Sequence, residues 1–243
     1  MKEVFLNNNL SMKPIVKIFK NFSDNARSNR AKIFRESFSI NKGTKILDLG
    51  SENGANISNI LRETNANPRN VYIADIEASA VQEGNRNFDY HAVLIGESGK
   101  LPFADKFFDI VFCSSVIEHT TVAKAEVWNW KAGRRFKEAA FVRQKMFADE
   151  IIRLGRQYFV QTPCKSFPIE SHSWLPLVGY FPRKLLLSTL KISNRFWVKQ
   201  TPPDFNLLGK TDMQKLFPEA KIICEKKYGL TKSVMALKTD GLY

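Results

Sequence analysis

Short apolar runs that end in Asp, Gly or Ser alternate along this chain with segments whose apolar residues recur at helical spacing. Ile15, Ile18, Phe19, Phe22, Ile33, Phe34 and Phe38 follow that spacing and predict a helix over 15–38, closed by the turn Asn41-Lys42-Gly43. Lys45-Ile46-Leu47-Asp48-Leu49, with Gly on both sides, predicts a buried strand; the tight turn Gly50 to Gly54 then leads into a helix over 55–62. Val71-Tyr72-Ile73-Ala74 predicts a second strand ending in Asp75, followed by a helix over 78–87. Runs at 91–95, 108–113 and 158–161 predict a third, fourth and fifth strand, and 221–224 with 233–237 predict a closing hairpin around Gly229. Strands apolar on both faces that alternate with helices belong to an α/β architecture, a parallel sheet covered by helices. In such a sheet the ligand sits beyond the carboxyl ends of the strands, so the residues after each strand are the ones to read for chemistry.

Composition narrows the class. With 243 residues, 44% hydrophobic and 19 Phe, the chain can bury a core and suits one domain. No apolar stretch reaches the roughly 18 residues of a transmembrane helix. The opening MKEVFLNNNLSMKP lacks the apolar region of a secretory signal, and three scattered cysteines (Cys113, Cys164, Cys224) argue against a disulfide framework or a Cys-rich zinc site. A reducing cytoplasm is the expected location. Charge is unusual: 37 Lys+Arg against 24 Asp+Glu give +13. Residues 1–45 carry ten basic side chains against three acidic ones, and 171–203 carry five basic side chains and no acid. Such a balance favours anionic partners: nucleic acid, phosphorylated substrates or an acidic membrane face.

The first strand-end turn reads Asp48-Leu49-Gly50-Ser51-Glu52-Asn53-Gly54. Gly54-Ala55-Asn56 is not the Gly-Lys-Ser/Thr of a P-loop, and the G-x-x-x-G spacing is not the dinucleotide fingerprint. Asp75, 21 residues past Gly54, is placed to accept hydrogen bonds from ribose hydroxyls or to cap a helix. The third strand leads to Gly96-Glu97-Ser98 and then Leu101-Pro102-Phe103, the fourth to Ser114-Ser115 and Val116-Ile117-Glu118-His119.

Taken together, Ile46 to Gly54, Tyr72 to Ile76, Leu101-Pro102-Phe103 with Phe108 to Val111, and Val116 to His119 resemble the class I S-adenosylmethionine-dependent methyltransferases, in particular their type 11 small-molecule branch. The likeness covers 44–120 and continues through 158–163 and the terminal hairpin. It implies a Rossmann-like doubly wound, mostly parallel seven-stranded sheet with a C-terminal antiparallel hairpin. The domain would comprise an N-terminal helical cap (1–43), a cofactor-binding half (44–120), a basic helical insertion (121–156) and a substrate-side half (157–243) with a lid at 164–203. The resemblance further implies that Asp48 and the backbone from Gly50 through Ser51 and Glu52 to Gly54 hold the methionine part of S-adenosylmethionine. Asp75 would bind the ribose and Ile76 would pack on the adenine. Glu97 would accept from the adenine amino group beside the Ser98 N–H, and Ser114 would contact the methionine end. The family usually has a second glycine where Glu52 stands, which bears on affinity for the cofactor.

Methyl transfer from a sulfonium needs alignment and, for an oxygen or nitrogen acceptor, removal of a proton, which makes histidine the natural base. His91 begins the third strand, at the wrong end of the sheet. His119 follows the fourth strand and can act as base, pack on the cofactor or cap a helix. Glu118-His119 is similar to part of a metal-binding E-x-x-E-H arrangement of some quinone O-methyltransferases. Ser115 stands at its first acidic position, so no metal is expected. His172 and Glu170 lie in Thr162-Pro163…Pro168-Ile169-Glu170-Ser171-His172, a loop of a kind often found in type 11 relatives; acid–base or substrate-binding roles compete here with plain loop hydrogen bonding.

The segment 121–156, with Trp128, Trp130, Phe136, Phe141, Met146 and Phe147, reads mainly as an amphipathic helical excursion on the core, and otherwise as a lid or partner surface. The apolar, acid-free stretch 174–197 reads as a lid over the acceptor site, with peripheral contact to an anionic membrane surface as the alternative. The expectation is therefore methylation, at oxygen, of a small, sugar- or lipid-linked acceptor. Two rivals remain: an RNA methyltransferase, motivated by charge but lacking a base-flipping motif, and a non-catalytic protein that kept the fold.

Overall fold

The computed structural model describes residues 13–96 and 99–240. The strands are β1 (Ile46–Leu49), β2 (Val71–Asp75), β3 (His91–Leu94), β4 (Phe108–Ser114), β5 (Gly155–Pro163), β6 (Lys221–Lys227) and β7 (Leu230–Lys238). They form one sheet in the order β3-β2-β1-β4-β5-β7-β6. β1 to β5 run parallel, and β7 inserts antiparallel between β5 and β6. The helices are α1 (Lys13–Ser37), α2 (Ala55–Leu61), α3 (Ala78–Phe88), α4 (Gly133–Leu154), α5 (Arg183–Ser193) and α6 (Lys210–Leu216).

Strand alternation divides the core into two layers. Ile46, Ile110, Phe112 and Phe159 point to one face, where Phe34 and Phe38 of α1, Ile57 and Ile60 of α2 and Val81 of α3 cover them. Leu47, Leu49, Val111, Cys113, Tyr158 and Val160 point to the other, under Ala148, Ile151 and Leu154 of α4 and Met213 and Leu216 of α6. The sheet is the Rossmann-like, mostly parallel one with a C-terminal antiparallel hairpin that the motifs imply.

Three features depart from the sequence reading. β3 is an edge strand whose side chains are mostly exposed, so it is not apolar on both faces. The helix within 121–156 starts only at Gly133 and is the crossover that joins β4 to parallel β5, whereas 121–132 is a non-helical segment. α6 has no periodic signal in the sequence, because its seven residues Lys-Thr-Asp-Met-Gln-Lys-Leu present only Met213 and Leu216 to the core. The segment 174–197 packs on the 121–132 segment through Trp128, which touches both small clusters built around Val178, Leu186 and Leu190 and around Val122, Val127 and Phe136.

Candidate active site

β1 has β2 on one side and β4 on the other, so the sheet's crevice opens beyond their carboxyl ends. A cavity of 330 Å³ lies there. Asp48, Gly50, Ser51 and Glu52 form one wall, Ser114, Ser115 and Gln161 the floor, and Glu170, His172 and Trp174 the side made by the loop after β5. α1 contributes Arg27 and Arg30, and Lys199 and Lys232 complete the rim.

The β1 turn is built for close approach. Gly50 has φ +78°, and a Cβ there would meet Val116 Cγ2 at 2.4 Å. Glu52, two residues on, itself takes a left-handed φ of 52°. Asp75 steadies this turn: its Oδ2 accepts the Glu52 N–H at 2.8 Å and its Oδ1 the Glu77 N–H at 3.1 Å. Gly54, at φ 73°, precedes the first turn of α2. Ile76 is 63% exposed at the end of β2, and Glu97 and Ser98 lie outside the described residues.

Asp48 is buried, and its Oδ2 has no hydrogen-bond partner. Burial, with a smaller contribution from the Asp75 charge, pushes its carboxyl well above the ordinary range. A buried acceptor without a donor beside an open cavity suits a ligand that brings a positive charge or an N–H group. The cationic methionine end of S-adenosylmethionine has that chemistry, so the residues present fit the cofactor. On the floor, the Ser114 and Ser115 hydroxyls both donate to Gln161 Oε1, at 2.8 and 3.1 Å.

On the other side of the cavity Glu170 organises the loop after β5. Its Oε1 accepts the His172 N–H at 2.7 Å and faces His172 Nδ1 at 2.6 Å, while Oε2 accepts the Ser173 N–H and hydroxyl, both at 2.7 Å. Burial alone would raise this carboxyl, but the His172 charge and these donors hold it below the ordinary range. His172 responds in the opposite sense: burial alone would lower it, and the Glu170 and Glu118 carboxylates hold it up. Glu170 thus spends its acceptor capacity on the loop and positions His172, which faces the cavity. His119 does not line the cavity; its Nδ1 lies 3.1 Å from Asp204 Oδ1 and its ring sits edge-on to His172 at 4.5 Å. His91 is at the far end of the sheet, with Nε2 2.8 Å from the Arg69 carbonyl.

The structure also groups residues that the sequence reading left apart. Glu118, His119 and His172 offer ligand atoms within 4.8 Å of one another, an arrangement able to hold a metal ion. The E-x-x-E-H pattern did not reveal it, because His172 lies in a different loop from Glu118. Asp204 was missed too; its one signal was its place as the first acid after the acid-free stretch 171–203. Arg27 and Arg30 on the cavity wall were visible only as part of a basic N-terminal segment.

Strand order and cavity together define a Rossmann-like methyltransferase fold. Residues 47–129 match a family model described as a methyltransferase domain, which supports the class I, type 11-like resemblance of the sequence motifs. Among solved structures, a chain of the complex between the Haloferax volcanii Trm112 methyltransferase activator and a candidate methyltransferase superposes with a TM-score of 0.53 at 13% identity, over 96% of this chain and 97% of that one. Magnesium protoporphyrin IX methyltransferase from Synechocystis PCC 6803, with bound SAH, gives 0.50 at 13% identity, over 96% and 89%. A candidate O-methyltransferase from Nostoc punctiforme PCC 73102 gives 0.51 at 14% identity, over 92% and 59%. At these identities the likeness shows the fold. A search of curated proteins found no significant match.

Proposed function

We propose that this protein transfers a methyl group from S-adenosylmethionine to an oxygen of a small, sugar- or lipid-linked acceptor. The observation that carries this reading is the shared cavity: the cofactor-type wall of Asp48, Gly50, Ser51 and Ser114 and the lid loop of Glu170 and His172 face the same space. S-adenosylmethionine supplies an electrophilic methyl on a sulfonium, so the protein's own task is to bind, align and keep out water. Asp48 and the Gly50–Gly54 backbone would hold the methionine end, Asp75 the ribose, and Ile76 with the Glu97–Ser98 segment the adenine. His172, fixed by Glu170, faces the acceptor space, while Phe167, Ile169 and Trp174 shield it.

A lipid-linked acceptor is favoured by the outer face of α5. Leu185 and Ile192 there, and Phe196 just past the helix end, are 48%, 58% and 58% exposed, next in sequence to the exposed Lys184, Lys191 and Arg195. That face suits the interface of an anionic membrane. Among the described residues no helix is long and apolar enough to cross one.

Calorimetric titration with S-adenosylmethionine, its demethylated product and NAD tests the cofactor. Micromolar binding of the first two and none of NAD is expected. Absence of binding by all three overturns the reading in favour of a non-catalytic fold.

A further inference from the structure

Two loops that follow β4 and β5 converge beneath the lid. Glu118 is fully buried; its Oε2 accepts the Thr162 hydroxyl at 3.0 Å, while its Oε1 has no hydrogen-bond partner. That oxygen stands 3.5 Å from His172 Nε2, too long for a good hydrogen bond but close to the edge between two ligands of one small cation. Each imidazole is oriented from behind by a carboxylate outside the trio. Glu170 Oε1 meets His172 Nδ1 at 2.6 Å, and Asp204 Oδ1 meets His119 Nδ1 at 3.1 Å. With Nδ1 engaged, Nε2 is the nitrogen left to ligate, the arrangement in which carboxylates commonly fix metal-bound histidines. Glu118, Glu170 and Asp204 are all buried around two imidazoles, and Asp204 Oδ2 also lacks a partner. Carboxylate oxygens are costly to bury unless a donor or a cation meets them.

We propose that Glu118, His119 and His172 form a binding site for one first-row divalent transition-metal ion, with Glu170 and Asp204 as positioning residues for the two imidazoles. Two imidazole nitrogens and one carboxylate oxygen suit Zn²⁺, Fe²⁺ or Mn²⁺; Mg²⁺ and Ca²⁺ prefer an all-oxygen set. Three protein ligands leave coordination positions open, and His172 lines the cavity, so the open side is reached from the acceptor space. A hydroxyl or carboxylate oxygen of the acceptor is the ligand such a position takes. That last step rests on the methyl-transfer reading; binding of the ion does not.

Chelator-treated full-length protein, titrated with ZnCl₂ by calorimetry and with CoCl₂ by absorbance, tests the site. One ion per chain is expected, with visible d–d bands that saturate at one equivalent of Co²⁺. Glu118→Gln and His172→Gln, which nearly preserve volume, should each weaken binding by about tenfold or more. His91→Gln, at the opposite end of the sheet, should leave it unchanged. If the cluster variants do not fold, paramagnetically shifted resonances from two histidine rings in the wild-type Co²⁺ protein identify the ligands directly. No bound ion, binding unaltered in folded cluster variants, or Co²⁺ without shifted histidine signals overturns the site; His172 then bridges Glu170 and Glu118 as an imidazolium. S-adenosylmethionine titrated into the chelated protein reads the Asp48–Asp75 side alone, which separates failure of this site from failure of the methyltransferase reading.

Discussion

Glycine at position 50 answers two constraints at once, and they can be separated by mutation. A left-handed φ of +78° costs any L side chain about 1–2 kcal/mol, and a Cβ pressed to 2.4 Å from Val116 adds an overpacking cost of about 1–3 kcal/mol. Gly50→Ala should therefore lower stability by about 2–5 kcal/mol in urea unfolding, and adding Val116→Ala should return only the steric share. Full recovery in the double variant would show that the backbone conformation is not strained. Glu52 poses the converse case, a non-glycine residue at φ 52° on the cavity wall. Glu52→Gly relieves that strain but enlarges the unfolded ensemble, so stability should move by less than about 1 kcal/mol. S-adenosylmethionine should bind more tightly to it; unchanged or weaker binding would mean that the glutamate side chain does not crowd the ligand. Asp75→Ala removes both the proposed ribose acceptor and two backbone hydrogen bonds. A loss of about tenfold or more in cofactor affinity is expected, and unchanged affinity sinks that assignment.

At the level of elements, single arginines hold the connections that the sheet does not. Arg153, in the last turn of α4, donates to the carbonyls of Leu101 and Phe103, at 3.1 and 2.7 Å, and pairs with Glu150 and Asp105. Glu150 in turn accepts the Leu101 N–H at 2.8 Å, so the β3–β4 connection is clamped to α4. Burial alone would raise Glu150, but Arg153 and that N–H hold it below the ordinary carboxylate value. A depressed carboxylate stabilises above its unfolded pKa, and that stability is lost as pH falls through the folded value. Arg153→Met should thus cost about 1–3 kcal/mol near pH 7, with the gap to wild type narrowing below about pH 4.5 as wild type loses the pair that the variant never forms. A constant gap from pH 7 to pH 3 would assign the effect to packing. This clamp was illegible in the sequence, where Leu101-Pro102-Phe103 and Arg153 are unrelated. The strands were legible because Ile46–Leu49, Val71–Asp75 and Phe108–Ser114 are apolar runs bounded by turn residues, and a parallel sheet buries such runs whole. Asp48, Gly50 and Ser114 were legible because topology puts strand ends on one crevice. Convergence of Glu118 with His172, or of Arg30 with Lys232, depends on which loops lie side by side above the sheet, and no local periodicity encodes that.

For the whole molecule, the uneven charge acquires a location. The N-terminal basic segment and the acid-free stretch 171–203 are far apart in sequence, yet Arg27 and Arg30 from one and Lys199 from the other reach the same cavity. Crowding is tangible there: burial, opposed by Glu225 but assisted by Arg30, brings Lys232 down to about 8. The exposed Lys184 and Lys191 of α5, next to Leu185 and Ile192, and Arg195 and Phe196 just past its end, continue this basic character. An anionic surface would be attracted electrostatically, and the apolar side chains would then enter the headgroup boundary. The two contributions respond to different variables. Co-sedimentation with anionic vesicles should exceed that with neutral phosphatidylcholine vesicles, and should fall steeply as NaCl rises from about 0.05 to about 0.5 M because screening shortens the reach of exposed charges. Ile192→Ser with Phe196→Ser should cut binding to anionic vesicles while leaving the net charge of +13 and cofactor affinity unchanged. Equal binding by wild type and this variant would reduce the contact to non-specific charge. RNA that competes the protein off vesicles at low concentration would instead turn the basic face towards nucleic acid, since phosphate contacts share the same salt dependence but gain nothing from Ile192 and Phe196.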